Sequence, residues 1–232
     1  MKRFWREVAT SGEGPFGVLL DGRAVRTPAK APLMLPGRAL AEAVAAEWAA
    51  VVDLVKPEAM PMTGLANAAI DLLSGNVPGH AARLAAYAGS DLICYRAEGP
   101  DALVARQAAA WDPLLDWAKA RLGVDFVVAG GVMPVHQPAD AAVRVAEAFE
   151  ALGPFGLAAV SHLVPISGSA LIVLALLEGR IDADGAFAAA SVDERWSEEK
   201  WGVDDEALAA LAARAAAFAA AHRFLVLART DG

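Results

Sequence analysis

The chain has 232 residues, a hydrophobic content of 56% and a formal net charge of -8 at pH 7. This length allows one domain, or a small domain joined to a larger one. The acidic balance argues against a nucleic-acid partner, which would need a basic face. The single cysteine excludes an intrachain disulfide and fits a reducing compartment.

The N-terminal third predicts a small antiparallel sheet. Strands are expected at residues 4–9, 16–20 and 24–26, with residues 32–35 as a short edge strand. Asp21 and Gly22 form a dipeptide that suits the tight turn of a hairpin. From Arg38 the apolar residues recur at helical spacing, which predicts a helix that covers the sheet, with Trp48 as its anchor.

The rest of the chain is predicted to be almost entirely helical. Helices are expected at residues 65–73, 79–88, 100–122, 139–152, 155–164, 168–178, 184–201 and 204–219, and a β-rich segment at residues 125–135. Pro113 makes the segment 100–122 compatible with one kinked helix or with two helices in tandem. The predicted fold class is α+β, with a small antiparallel domain and covering helix at residues 1–78 and a larger orthogonal helical bundle at residues 79–232.

The longest apolar stretch, residues 157–177, contains His162, Pro165 and Ser167. It therefore offers no unbroken run of about 20 apolar residues for a bilayer. The N-terminal segment MKRFWREV lacks the apolar run of a signal peptide. We expect a soluble protein of the bacterial cytoplasm that does not insert stably into a membrane and is monomeric when free.

The segment from Ser191 to Ala207 is the most polar part of the chain, with seven carboxylates, two basic residues and two tryptophans. One continuous helix is predicted over residues 184–201, with Asp182 or Asp184 as the N-cap and Gly202 as the stop. A second helix is predicted to begin with an acidic first turn. The charges are typical of a solvated helix face, and Ser191 with Glu194 also fits a capping box. Each tryptophan either covers the core or contacts a partner.

Three glycines match a dinucleotide-binding pattern, but the surrounding sequence does not. Gly12, Gly14 and Gly17 have the required spacing, yet a hairpin strand follows them where the motif needs a helix N-terminus. No cofactor site is predicted. Ser167 is expected to be a helix N-cap followed by Gly168 and Ser169, because the glycine of a nucleophile elbow is missing.

Cys94 could act as a nucleophile only if the fold brought a histidine close to it. No spacing selects a partner among the four histidines, so a buried structural cysteine is the preferred interpretation. The histidines also lack the paired spacing of a metal site. The sequence therefore predicts neither catalytic residues nor metal ligands.

Motifs along nearly the whole chain resemble one family. They are RFW at residues 3–5, LDGRAVRTP at 20–28, EW at 47–48, MPMT at 60–63, SDLICYRA at 90–97, the pattern QxxxWDPLLxW at 107–117, and VDERWSEEKWGVDDEA at 192–207. Together these motifs resemble the assembly chaperones of the F-type ATP synthase that bind its alpha subunit.

The resemblance implies a two-part protein without enzymatic activity or cofactor. It also implies that the chain holds the new alpha subunit through the surface destined for the beta subunit until the hexamer assembles. Eukaryotic relatives are expected in the mitochondrial matrix. A carboxylate of the acidic helix is associated with this function, and Asp193 and Glu194 are both candidates, since some relatives have glutamate at the first position. The expected partner-binding residues are Asp193, Glu194, Glu198 and Trp201, and Gly202 closes the motif.

Two alternatives remain at this point. One is a small-molecule enzyme that uses Cys94 with a histidine in an inter-domain cleft. The other is peripheral docking on a membrane through the alanine-rich helices.

Overall fold

The structure is a computed structural model that describes residues 1–131, 133–202 and 204–229. The chain forms two compact units. The first contains Met1–Val77, Leu152–Ala159 and the segment from Ala220 onward, and the second contains Pro78–Ala151 and Val160–Ala219. The chain thus returns to the first unit twice. The division into consecutive domains at residues 1–78 and 79–232 stays a prediction.

The first unit contains a small antiparallel sheet. Its strands are β1 (Val8–Ser11), β2 (Phe16–Leu20), β3 (Arg23–Ala24) and β4 (Met34–Leu35). The central strand β2 pairs with the other three, with Val8 opposite Leu20 in the β1 register. The glycine-containing segment joins β1 to β2, and a strand follows it as the sequence predicts. Asp21 adopts a φ of 47° in the turn between β2 and β3.

The first strand begins later than the predicted residues 4–9. Trp5 is buried at 3% exposure, and its indole Nε1 donates a hydrogen bond of 3.3 Å to the carbonyl of Trp48. The two rings meet edge to face, with centroids 5.2 Å apart. Trp5 therefore belongs to the core, and the first strand begins three residues after it. Trp48 is buried, which confirms its predicted anchoring role.

Helix α1 (Arg38–Ala50) packs on the sheet and on α2 (Pro61–Ala68). The Glu47 carboxylate accepts hydrogen bonds from the backbone N–H groups of Met62 and Thr63, at 2.7 and 2.8 Å. These donors lie in the first turn of α2, where they have no partner within the helix. The EW and MPMT motifs are therefore two halves of one helix-capping contact.

The remaining described elements are predominantly helical. The α-helices and strands among them are α3 (Val77–Ala85), β5 (Tyr95–Arg96), α4 (Asp101–Leu122), β6 (Ala129–Gly130), α5 (Ala141–Glu150), α6 (Gly153–Ser167), α7 (Ala170–Leu177), α8 (Ala183–Ala190), α9 (Val192–Trp201) and α10 (Asp205–Arg229). Helix α4 is one continuous helix with Pro113 in its interior. Among the described residues of the predicted β-rich segment 125–135, only Ala129–Gly130 form a strand, and it pairs in parallel with β5. Val132 of that segment lies outside the described residues. The α+β class with a small N-terminal sheet and helices after it is confirmed.

Helix α7 forms the core of the second unit. Its residues from Ala170 to Leu176 are all buried, and it packs against α4, α5 and α8. Ser169 is its N-cap and accepts a hydrogen bond of 2.9 Å from the N–H of Ile172. The predicted N-cap, Ser167, instead lies at the end of α6. Its hydroxyl lies 3.2 Å from the carbonyl oxygen of Val164 and 3.1 Å from that of Ser169, and its one proton is donated to either of them.

Helix α10 runs to Arg229, ten residues beyond its predicted end at residue 219, because Phe224 and Leu225 are buried. Within the described part of the chain it is the one helix whose length and apolar composition would suit a membrane span. Alanine supplies most of that composition. Arg214 lies inside the helix and forms an ion pair with Glu194, whereas an arginine at the centre of a spanning helix is costly.

Candidate functional site

The acidic helix α9 is separate from α8. The predicted continuous helix over residues 184–201 is wrong, because the chain leaves helical geometry at Ser191. The buried Ser191 hydroxyl donates to the carbonyl of Phe187 at 2.6 Å and accepts from Arg195 Nε at 3.2 Å. Its side chain caps no N–H of α9, so the capping box with Glu194 does not form.

The start of α8, the end of α9 and the acidic first turn of α10 agree with the prediction. Asp182 caps α8 by accepting a hydrogen bond of 2.8 Å from the N–H of Gly185. Gly202 ends α9 with a φ of 90°, a conformation that favours glycine. Asp205 and Glu206 lie in the first turn of α10, where the helix dipole favours negative charge.

One face of α9 is fixed to α4. Val192 and Trp196 are buried there, and the guanidinium of Arg106 lies 5.0 Å from the Trp196 ring centroid. Arg106 also forms two hydrogen bonds with the Glu199 carboxylate, at 2.8 and 2.7 Å. This pairing lowers the pKa of Glu199. Aromatic burial, a cation–π contact and a bidentate ion pair thus hold one face of the acidic helix in place.

Gln107 connects three of the sequence motifs. The buried amide of Gln107 accepts a hydrogen bond of 2.8 Å from the N–H of Ala97 and donates one of 2.7 Å to Asp193 Oδ1. Sequence reasoning noted Gln107 within a motif but assigned it no function. Its neighbour in that motif, Trp111, is buried and donates from Nε1 to the carbonyl of Ala189 at 2.8 Å. The spacing of four residues places both groups on the same side of α4.

The four predicted partner-binding residues have different environments. Asp193 is exposed and bound to the Gln107 amide, and Glu194 forms an ion pair of 2.6 Å with Arg214 of α10. Glu198 is half-buried and forms no ion pair within the described residues. Trp201 is 87% exposed at the end of α9. Of the two tryptophans in the segment, Trp196 belongs to the core and Trp201 does not.

All four residues line one groove of about 540 Å³, which we call the acidic groove. Ala207, Ala210 and Leu211 of α10 form its apolar wall. Arg214 also lies in it, but its guanidinium is occupied by Glu194 and by the carbonyl of Ile166 at 3.0 Å. The acidic groove therefore combines uncompensated carboxylates with an exposed aromatic ring and small apolar side chains.

Cys94 lies outside this groove and is completely buried. Burial, with the Asp91 carboxylate as a second cause, raises the pKa of the Cys94 thiol to about 12. A thiol with this pKa is protonated at neutral pH and is a poor nucleophile. The geometry therefore disfavours the alternative in which Cys94 performs catalysis. Within the described residues no group of three or more His, Cys, Asp or Glu side chains could hold a metal ion.

Asp91 of the SDLICYRA motif is a buried structural carboxylate. Its two oxygens accept hydrogen bonds from the N–H groups of Ile93 and Leu171, at 3.3 and 3.0 Å. It thereby fixes a short 3-10 helix (Leu92–Cys94) to the first turn of α7. Burial raises the pKa of Asp91 to about 6, although these hydrogen bonds act in the opposite direction.

Comparison with known proteins identifies the family. The model of the family described as ATP12 chaperone protein matches residues 2–119. The mitochondrial protein atp12 of Schizosaccharomyces pombe is 24% identical over 219 residues, which cover 89% of this chain and 75% of that protein. The acidic groove lies outside the residues matched by the family model.

Solved structures cover the whole fold. Atp12 from Paracoccus denitrificans is 44% identical, with 98% of each chain covered and a TM-score of 0.91, and the same values apply to an aspartate-to-lysine mutant of that protein. A putative chaperone from Agrobacterium tumefaciens is 41% identical over 97% of this chain and 85% of that one, with a TM-score of 0.90. The chain therefore belongs to the ATP12 chaperone family, whose members serve in ATP synthase assembly.

Proposed function

We propose that this chain binds the unassembled alpha subunit of the ATP synthase catalytic sector and shields its beta-subunit interface until the hexamer forms. It acts in the bacterial cytoplasm as a free monomer, without enzymatic activity, cofactor or stable membrane insertion. The observation that carries this proposal is the exposure of Trp201 beside Glu198, a carboxylate without an ion-pair partner in the described part of the chain.

The composition of the acidic groove supports a role in protein binding. An exposed tryptophan is costly to leave in water, and tryptophan is enriched among the residues that dominate binding energy in protein interfaces. Trp201 is surrounded by carboxylates, which matches an interface with an aromatic centre and a charged rim. A stable complex would bury about 800 Å² on each partner, so the groove is one part of the contact.

The environments of the four residues suggest a division of roles. Trp201 supplies apolar contact area and Glu198 supplies charge that is available to a partner. Glu194 and Asp193 fix α9 to its neighbours through Arg214 and Gln107, and the exposed parts of their carboxylates add to the negative rim. Negative charge in such a rim acts mainly on the association rate and on specificity.

The test is the affinity of the purified chain for isolated alpha subunit. The variant carrying Trp201→Ala and Glu198→Gln is expected to bind about tenfold more weakly or worse, because it removes an aromatic anchor and a rim charge. A matched control carries Val52→Ala and Glu58→Gln, which remove an exposed apolar side chain and an exposed carboxylate from the first unit. Equal affinities for the wild type and the groove variant would refute a role of the acidic groove, and absence of binding by the wild type would refute the function.

A further inference from the structure

A second groove lies on the other side of α9. It has a volume of about 560 Å³ and is lined by α4, α8 and α9 together with Arg180 and Ile181. Its α9 residues are Val192, Arg195 and Glu199, whereas Asp193, Ser197, Glu198 and Trp201 of the same helix line the acidic groove. At 100° per residue these two sets point in opposite directions. Helix α9 therefore forms a ridge between the two grooves.

The second groove carries positive charge in an acidic protein. Three arginines line it, namely Arg106, Arg180 and Arg195, and we call it the arginine groove. Its one carboxylate, Glu199, is already paired with Arg106. Arg180 and Arg195 are exposed, and neither forms an ion pair with any residue that the structure describes. Two uncompensated guanidinium groups thus lie in a chain whose formal net charge is -8.

The floor of the arginine groove suits close approach by another polypeptide. Ala109, Ala110 and Pro113 of α4 face it together with Ala188 and Ala189 of α8. These side chains are small or compact, so a partner can come near the backbone of α4. Pro113 has no N–H, and the carbonyl of Ala109 therefore lacks its usual helical donor. Both residues are exposed.

We propose that the arginine groove binds a second segment of the client polypeptide, one that carries carboxylates beside apolar side chains. The identity of the client as the alpha subunit rests on the function proposed above, whereas the chemistry of the segment follows from the groove itself. The guanidinium groups form bidentate pairs with carboxylates, and the alanine floor accepts the apolar side chains. The acidic groove lies on the opposite side of α9. The chaperone therefore presents one negative and one positive groove, and this pairing fixes the orientation of its client.

The test compares charge reversals in affinity measurements with isolated alpha subunit over a range of salt concentrations. A variant with Arg180→Glu and Arg195→Glu is expected to bind about tenfold more weakly at low salt or worse, mainly through slower association. The matched control, Arg23→Glu with Arg223→Glu, changes the net charge equally through exposed arginines of the first unit and is expected to bind as the wild type does. A milder variant, Arg180→Gln with Arg195→Gln, removes the two charges without reversing them and covers the case in which charge reversal impairs folding.

The outcomes separate the two proposals. One outcome is that the Trp201→Ala, Glu198→Gln variant binds more weakly than the wild type while the arginine variants bind as the wild type does. This outcome supports a binding role for the acidic groove and refutes one for the arginine groove. Equal weakening by the arginine variants and the control pair also refutes it, because only net charge would matter. A change confined to self-association of this chain would assign the groove to a second copy and overturn the proposal. Absence of any binding by the wild type overturns both proposals.

Discussion

Trp196 and Trp201 lie five residues apart in the same helix and have opposite environments. Trp196 is 8% exposed and its ring centroid lies 5.0 Å from the Arg106 guanidinium and 4.8 Å from the Lys200 Nζ, whereas Trp201 is 87% exposed. The difference follows from helix geometry, since five residues rotate the side chain by about 140°. The same sequence feature, a tryptophan among carboxylates, therefore fixes the helix at one position and remains available to a partner at the other.

The two faces of α9 should differ most in their effect on stability. Trp196→Ala is expected to lower the free energy of unfolding by about 3 to 5 kcal/mol, because it removes a large buried ring and leaves a cavity. The free energy of unfolding of Trp201→Ala is expected to stay within about 0.5 kcal/mol of the wild-type value, because the Trp201 ring is not packed in the core. Denaturant unfolding monitored by circular dichroism measures both changes. Similar losses of stability in the two variants would contradict the distinction between the faces.

A similar contrast separates the buried Asp91 from the exposed Asp193. Burial raises the pKa of Asp91 from 3.8 to about 6, so the folded state keeps a proton that the unfolded state has already released. Between about pH 4 and pH 6 the stability contributed by this group falls as pH rises, by roughly 3 kcal/mol in total. In Asp91→Asn this component is absent. The destabilisation caused by the substitution should therefore shrink from pH 4 to pH 7 by a similar amount.

The measurement is denaturant unfolding of the wild type and Asp91→Asn at a series of pH values. The difference between the two proteins isolates Asp91 from carboxylates whose pKa is lowered by folding, such as Asp21 and Glu199. Parallel profiles for the wild type and Asp91→Asn would show that Asp91 releases its proton at the same pH in the folded and unfolded states.

The sequence predicted the elements better than their ends. Apolar spacing correctly indicated α1, α4 and the hairpin around Asp21, because local periodicity and turn chemistry determine them. The break at Ser191 was missed because the alanine-rich helical pattern continues through it, and only the tertiary structure shows that the Ser191 hydroxyl bonds the preceding turn. The residues before Val8 form no sheet strand because Trp5 is needed in the core, which a strand pattern cannot show.

The site was predicted from motif resemblance more than from residue chemistry. The acidic residues and Trp201 are close in sequence and line one groove, and their role in partner binding stays a prediction. The functions of Gln107 and Arg214 could not be deduced, because their partners are 86 and 20 residues away in the chain. The arginine groove was missed for the same reason: its cations come from α4, α9 and the segment before α8.

The smallest effects distinguish the charge of Asp193 from its position. Gln107→Ala removes the acceptor for the Ala97 N–H and the donor to Asp193, so the free energy of unfolding is expected to fall by about 1 to 3 kcal/mol. Asp193→Asn keeps an oxygen that can accept from Gln107 and is expected to change stability by less than about 0.5 kcal/mol. Gln107→Ala keeps the charge of Asp193 but loosens α9. It should therefore weaken the affinity for the alpha subunit more than Asp193→Asn does. The reverse order would show that the charge of Asp193, which lines the acidic groove with Glu198 and Trp201, contributes more to binding than its hydrogen bond with Gln107 does.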